Sequence, residues 1–121
     1  MTDPAQIFFL VLGTKLIHAK WADKPHEAFK KLGNTSKGDA GQEFITRYAK
    51  ELGFTAQNMG RVGDCDVKIG EKRFEVKLAS EDVSGSFQFN HIRLDSKYDY
   101  LLCLGVTPDH LFFKIWRKIV D

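Results

Sequence analysis

The chain has 121 residues, a length that suits one compact domain. Hydrophobic residues make up 43% and charged residues 28%, which excludes a disordered or fibrous chain. Eighteen basic against 16 acidic residues leave a net charge of +2. That is too small to announce a nucleic-acid binder and excludes none, because a basic rim can sit beside an acidic centre.

From the N-terminus, Asp3-Pro4 reads as a helix start, with a capping Asp and a Pro at the first helical position. A helix is expected from residue 4 to about 20, although the β-rich run 7–12 leaves a strand open. That run, Ile-Phe-Phe-Leu-Val-Leu, is far shorter than the ~20 residues of a membrane helix. Residues 1–6 carry no basic residue, unlike a secretory signal. The expectation is a cytoplasmic protein with a buried N-terminal element. Residues 23–32 read as a short helix, with Pro25 near its start and Gly33 past its end. Residues 34–38 read as a polar loop.

Asp39 then caps a clearer helix, with Gln42 three residues later as in a capping box. Phe44, Ile45, Tyr48, Ala49 and Leu52 follow a helical period and mark its core-facing stripe, and Gly53 ends it. Strands follow at 54–59, 64–69 and 73–78, the last two with polar and apolar residues alternating. A polar loop spans 79–86, and 87–94 is a short helix or an irregular segment. Residues 100–106 are apolar nearly throughout, as in a strand buried on both faces. Pro108-Asp109 turns the chain into a last strand, 111–116. The order predicts an α/β (α+β) domain with a mixed central sheet of four or five strands flanked by helices. It would be a single unit over 1–121, with an N-terminal helical part (1–37) and a core (38–116). Cys65 and Cys103 lie in strand-like runs and are expected reduced and buried, since a zinc site needs more soft ligands.

The chemistry concentrates around Gly70-Glu71. A two-residue loop with Gly first fits a type II′ hairpin. Its register pairs Ile69 with Lys72, Val67 with Phe74 and Cys65 with Val76. Cys65, Val67, Ile69, Phe74, Val76 and Leu78 then share an apolar face. Asp64, Asp66, Glu75 and Lys77 share the other, with Asp66 opposite Glu75 and Asp64 opposite Lys77. Opposed like charges repel unless something positive lies between them, and a hard divalent cation fits two carboxylates. A solvated sheet face with an Asp64–Lys77 ion pair is the plainer alternative.

This arrangement resembles the PD-(D/E)XK nuclease superfamily, which includes restriction endonucleases and Holliday-junction resolvases. Its Asp, followed by Glu-x-Lys on the next strand, corresponds here to Asp66 and Glu75-Val76-Lys77. Its acidic residue on a preceding helix corresponds to Glu43. The resemblance covers roughly residues 38–116. It departs at Cys65, where the family has Pro, and leaves Asp64 as a rival to Asp66. Glu43 also has a competing partner in Arg47, four residues on.

The resemblance implies a restriction endonuclease-like fold and a Mg2+-dependent endonuclease, with Mn2+ able to substitute. Asp66, Glu75, the Val76 carbonyl and Glu43 would hold the metal, and Lys77 would steady the attacking water. The expected substrate is double-stranded DNA, cut by a restriction-type enzyme or, alternatively, a resolvase. A homodimer is expected, because two strands need two sites. Gln88, Asn90 and Arg93 are candidate DNA contacts, whereas Phe87, Phe89 and Ile92 are expected in the core. Lys68, Lys72, Arg73, Lys97, Lys114, Arg117 and Lys118 are either a phosphate-binding rim or solvated strand edges, and only their clustering in space separates the two. A non-catalytic DNA-binding module and an RNA-directed nuclease are the rival functions.

Overall fold

The computed structural model describes residues 3–60, 65–89, 92 and 97–119. Asp3 caps α1 (Pro4–Trp21) by accepting a 3.0 Å hydrogen bond from the Ala5 N–H. A single short turn of helix follows, α2 (Glu27–Lys30). The next helix, α3 (Asn34–Glu51), begins six residues earlier than its sequence signals suggest and has Gly33, not Asp39, at its N-cap. The polar run before Asp39 is therefore helical. Its first turn closes through a 2.9 Å bond from the Lys37 N–H to the Gly33 carbonyl.

Among the described residues, five strands form one sheet in the order β1 (Ala56–Asn58), β2 (Val67–Ile69), β3 (Lys72–Ser80), β4 (Tyr100–Val106) and β5 (Leu111–Arg117). Only β3 and β4 run parallel, so the sheet is mixed and the class is α+β. β1 and β2 are shorter than their sequence patterns, and β3 continues to Ser80 where a loop was expected. The β2–β3 register is the expected one, with Val67 opposite Phe74 and Ile69 opposite Lys72. Gly70 sits at φ +57° and Glu71 is not in the left-handed region, which is the type II′ pattern.

Side chains alternate along β3. Phe74, Val76 and Leu78 face α3, in register with Tyr100, Leu102 and Leu104 of β4. α3 packs on β1, β2 and β3. Its close approach depends on Gly41, where a Cβ would stand 2.7 Å from a Leu78 methyl. The core between helix and sheet holds Trp21, Ile45, Val67, Leu102, Leu104 and Val106. Each such burial stabilises by roughly 1.5–3 kcal/mol. The expected buried N-terminal element is not found. α1 is a helix, but of its side chains only Trp21 is buried.

Candidate metal centre and phosphate groove

Glu75, Lys77 and Ala79 project to the face away from α3, together with Leu101, Cys103 and Gly105 of β4. Glu75 is only 7% exposed. A carboxylate at that depth in a sheet persists only with polar or cationic partners. Lys77 is half-buried and lies beside Cys103 in the register. Burial pushes the Cys103 thiol pKa up, and the Lys77 charge acts in the opposite direction. Both cysteines are free thiols and buried, as expected.

Asp66 departs from its expected place. The β2–β3 ladder ends at Val67–Phe74, and Asp66 lies in a bend beyond it. Its N–H donates to the Phe74 carbonyl at 3.0 Å, and its own carbonyl accepts from the Met59 N–H at 2.9 Å. The carboxylate turns along the strand edge, where Oδ2 accepts a 2.8 Å bond from the Val76 N–H. Asp66 therefore does not stand squarely against Glu75, and part of the repulsion expected between them is relieved by a backbone donor.

In a strand, the N–H and C=O of one residue point to the same side. The Val76 carbonyl therefore points to the β2 side of β3, where, among the described residues, Asp66 flanks it beyond the end of the ladder. Asp66, the Val76 carbonyl and Glu75 supply two carboxylates and one carbonyl from adjoining positions. Mg2+ commonly takes one or two carboxylates and keeps several waters, so this oxygen set fits it. Among the described residues, no group of three His, Cys, Asp or Glu is close enough to hold a metal without such help.

Glu43 is not brought to this place. It lies on the side of α3 turned from the sheet, opposite the buried Gly41, Ile45 and Ala49, and pairs with Arg47 at 2.9 Å. Gln88 is exposed within the segment that crosses the second face of the sheet. Asp64, Asn90 and Arg93 lie outside the described residues. Phe87 and Phe89 are half-buried, with Phe87 against Gly105, whereas Ile92 is exposed at 41% and not in the core.

The basic residues do cluster. Six of the seven rim candidates (Lys68, Lys72, Arg73, Lys97, Arg117 and Lys118) line one open groove of about 690 Å3 at the hairpin end of the sheet. Tyr98, Tyr100, Glu71 and Asp99 complete it. Lys114 lies elsewhere, its ammonium 5.1 Å from the Trp116 ring. The groove is organised by Asp99, which sequence reasoning did not single out. Asp99 accepts from the Arg73 N–H at 2.8 Å and from the guanidinium at 3.2 and 3.1 Å. These bonds hold the Asp99 carboxyl down to about 2. The Lys118 ammonium lies 4.6 Å from the Tyr98 ring centre. Arg73 follows Lys72 on β3 and precedes Glu75 by two residues on the same face, so groove and carboxylates adjoin.

No protein-family model, curated protein or solved structure matches the chain.

Proposed function

We propose that the chain is a Mg2+-dependent endonuclease acting on double-stranded DNA. The observation that carries this reading is the grouping of Asp66, Val76, Glu75 and Lys77 along β3 beyond the end of the β2 ladder, beside a groove lined by six basic side chains. Asp66, Glu75 and the Val76 carbonyl would hold the ion, which when bound polarises a phosphoryl oxygen and acidifies a water. The groove positions the substrate by its phosphates, a contact that carries affinity and no base sequence. Arg73, already locked by Asp99, presents a fixed guanidinium there. Lys77, on the same face as Glu75, orients the attacking water and offsets the negative charge that develops at phosphorus. A restriction-type role comes first and branched-DNA resolution second. Mn2+ would serve in place of Mg2+.

The non-catalytic rival is favoured by one observation, the Asp66 carboxylate already bonded to the Val76 N–H. Supercoiled plasmid separates the two. Wild type should nick or linearise it only with Mg2+ or Mn2+. Glu75→Gln, nearly isosteric, and Lys77→Ala should each lose cleavage on the order of 10²-fold. Both should retain plasmid binding in gel shift. Undiminished metal-dependent cutting by Glu75→Gln would sink the enzyme reading. Binding without cutting by wild type would establish the module, and parallel RNA substrates test the remaining class.

A further inference from the structure

Among the described residues, little covers the apolar side chains of α1 ahead of Ile17. Of its large side chains, Phe9 is 74% exposed and Leu10 66%, and Ile7, Phe8, Val11, Leu12 and Leu16 are exposed as well. A helix apolar around its circumference is stable when something covers it. An isolated helix of this length is marginal in water. Phe9, Leu12 and Leu16 stand at i, i+3 and i+7, the spacing of a helix that lies in an apolar groove. Gly13, between them, has open space where a Cβ would be, so another chain can approach there.

The chain also holds a groove of the matching kind. Between the C-terminal half of α3 and the α3-side face of β3–β5 lies an apolar trough of about 550 Å3, walled by Ile45, Tyr48, Leu52, Phe54, Phe113 and Ile115. α3 packs on β1 to β3 and reaches β5 at Tyr48 and Phe113, whose ring centres are 6.1 Å apart, and among the described residues the β5 side chains stay exposed. Phe54 is 59% exposed at its rim.

We infer that α1 of one copy lies in this trough of a second copy, and the reverse, in a reciprocal dimer. The chain's own α1 is not in the trough: its large apolar side chains are exposed and none lines it. Its C-terminal end is fixed by buried Trp21 and by a 2.7 Å Lys20–Glu81 pair, beside the ends of β3 and β4 at Ser80 and Val106. The next residues are held by His26, whose N–H donates to the Pro108 carbonyl at 2.9 Å and whose Nδ1 lies 2.8 Å from the Thr107 carbonyl. The trough opens at the other end of those strands, around Phe74 and Tyr100. From its anchor, α1 extends roughly 27 Å at the usual helical rise.

One face of α1, formed by Phe9, Leu12 and Leu16, leaves roughly 300 Å2 open to a partner's trough. A reciprocal dimer buries such a face and a trough from each copy in one self-complementary contact, roughly 600 Å2 per partner, the low end of the standard interface range.

The full chain should sediment as a dimer. Phe9→Glu with Leu16→Glu should give a monomer that still unfolds cooperatively and loses at most the α1 share of its helical circular dichroism, with self-association weakened about a hundredfold or more. Phe9→Cys and Leu52→Cys, purified separately, mixed and oxidised, should yield a covalent dimer containing one of each. A wild-type monomer overturns the proposal, and so does a dimer indifferent to the two glutamates. A disulfide formed within single chains of the doubly substituted protein would seat α1 in its own trough and also overturn it. A monomer that co-sediments with phosphatidylglycerol vesicles would assign α1 to a lipid surface instead.

Discussion

α1 and α3 are the same length, 18 residues each, and meet opposite fates. α1 begins with a run of Ile, Phe, Leu and Val and buries only Trp21. α3 carries Asn, Thr, Ser, Lys, Gly and Asp in its first turns, yet buries Gly41, Ile45, Thr46 and Ala49. The difference is one of period, not of hydrophobic content. α3 presents a stripe at helical spacing, narrow enough at Gly41 to meet Leu78, and buried Thr46 satisfies its hydroxyl on the Gln42 carbonyl at 2.7 Å. α1 is apolar on several sides, which no single sheet face can cover. Helix content alone therefore says little about which helix builds the core.

The largest effect that tests this contrast is a matched pair of truncations. Ile45→Ala removes a 3% exposed side chain from the core, whereas Ile7→Ala trims one that is 48% exposed. In dilute protein, where self-association is absent, the first should cost about 2–5 kcal/mol and the second within about 0.5 kcal/mol by urea denaturation. Equal costs would mean that α1 packs within its own chain. A rise in the Ile7→Ala cost with protein concentration would instead support the exchanged helix.

A second difference separates two carboxylates that accept from β3, Asp66 and Asp99. Both accept backbone N–H donors from β3, from Val76 and Arg73 respectively. Only Asp99 also meets a guanidinium, and its carboxyl is held down to about 2. An unfolded Asp titrates near ~3.9. Because the folded value is depressed, the contribution of Asp99 is present above that unfolded value and lost as pH falls through about 2. Asp99→Asn should therefore lower the melting temperature at pH 6, and its deficit against wild type should shrink between pH 4 and pH 2. A deficit independent of pH would show that charge on Asp99 contributes nothing. Plasmid affinity in the same variant should weaken as Arg73 loses its brace.

Much of this was legible in the residues. The Asp3-Pro4 start of α1, the end of α3 at Gly53, the type II′ turn at Gly70 and the β2–β3 register all follow from local chemistry, and the structure has them. The apolar run of β4 reads as a strand buried on both faces, and it is buried from Leu102 to Val106. The missed features need the third dimension. The bend that carries Asp66 onto the Val76 N–H comes from the early end of β2, where alternation alone predicts a continued strand. The start of α3 was hidden because Asn34, Thr35, Ser36 and Gly38 all favour loops, and only packing of the later turns draws them into a helix. Asp99 is one acidic residue before a strand until β3 brings Arg73 beside it.

The smallest expected effect is at Glu43, and it discriminates most finely between the resemblance and the geometry. A helix Glu that ligates the metal would make Glu43→Ala as damaging as Glu75→Gln. Here its carboxylate is 2.9 Å from the Arg47 guanidinium, both side chains are more than half exposed, and α3 lies on the sheet face away from Glu75 and Lys77. An exposed i,i+4 pair stabilises by about 0.2–0.5 kcal/mol. Glu43→Ala should therefore cost no more than that in denaturation and leave metal-dependent cleavage within about twofold of wild type, a margin smaller than one weak hydrogen bond. Loss of cleavage on the scale of Glu75→Gln, with stability unchanged, would place Glu43 at the metal in the DNA-bound state and require α3 to rotate toward Glu75 and Asp66.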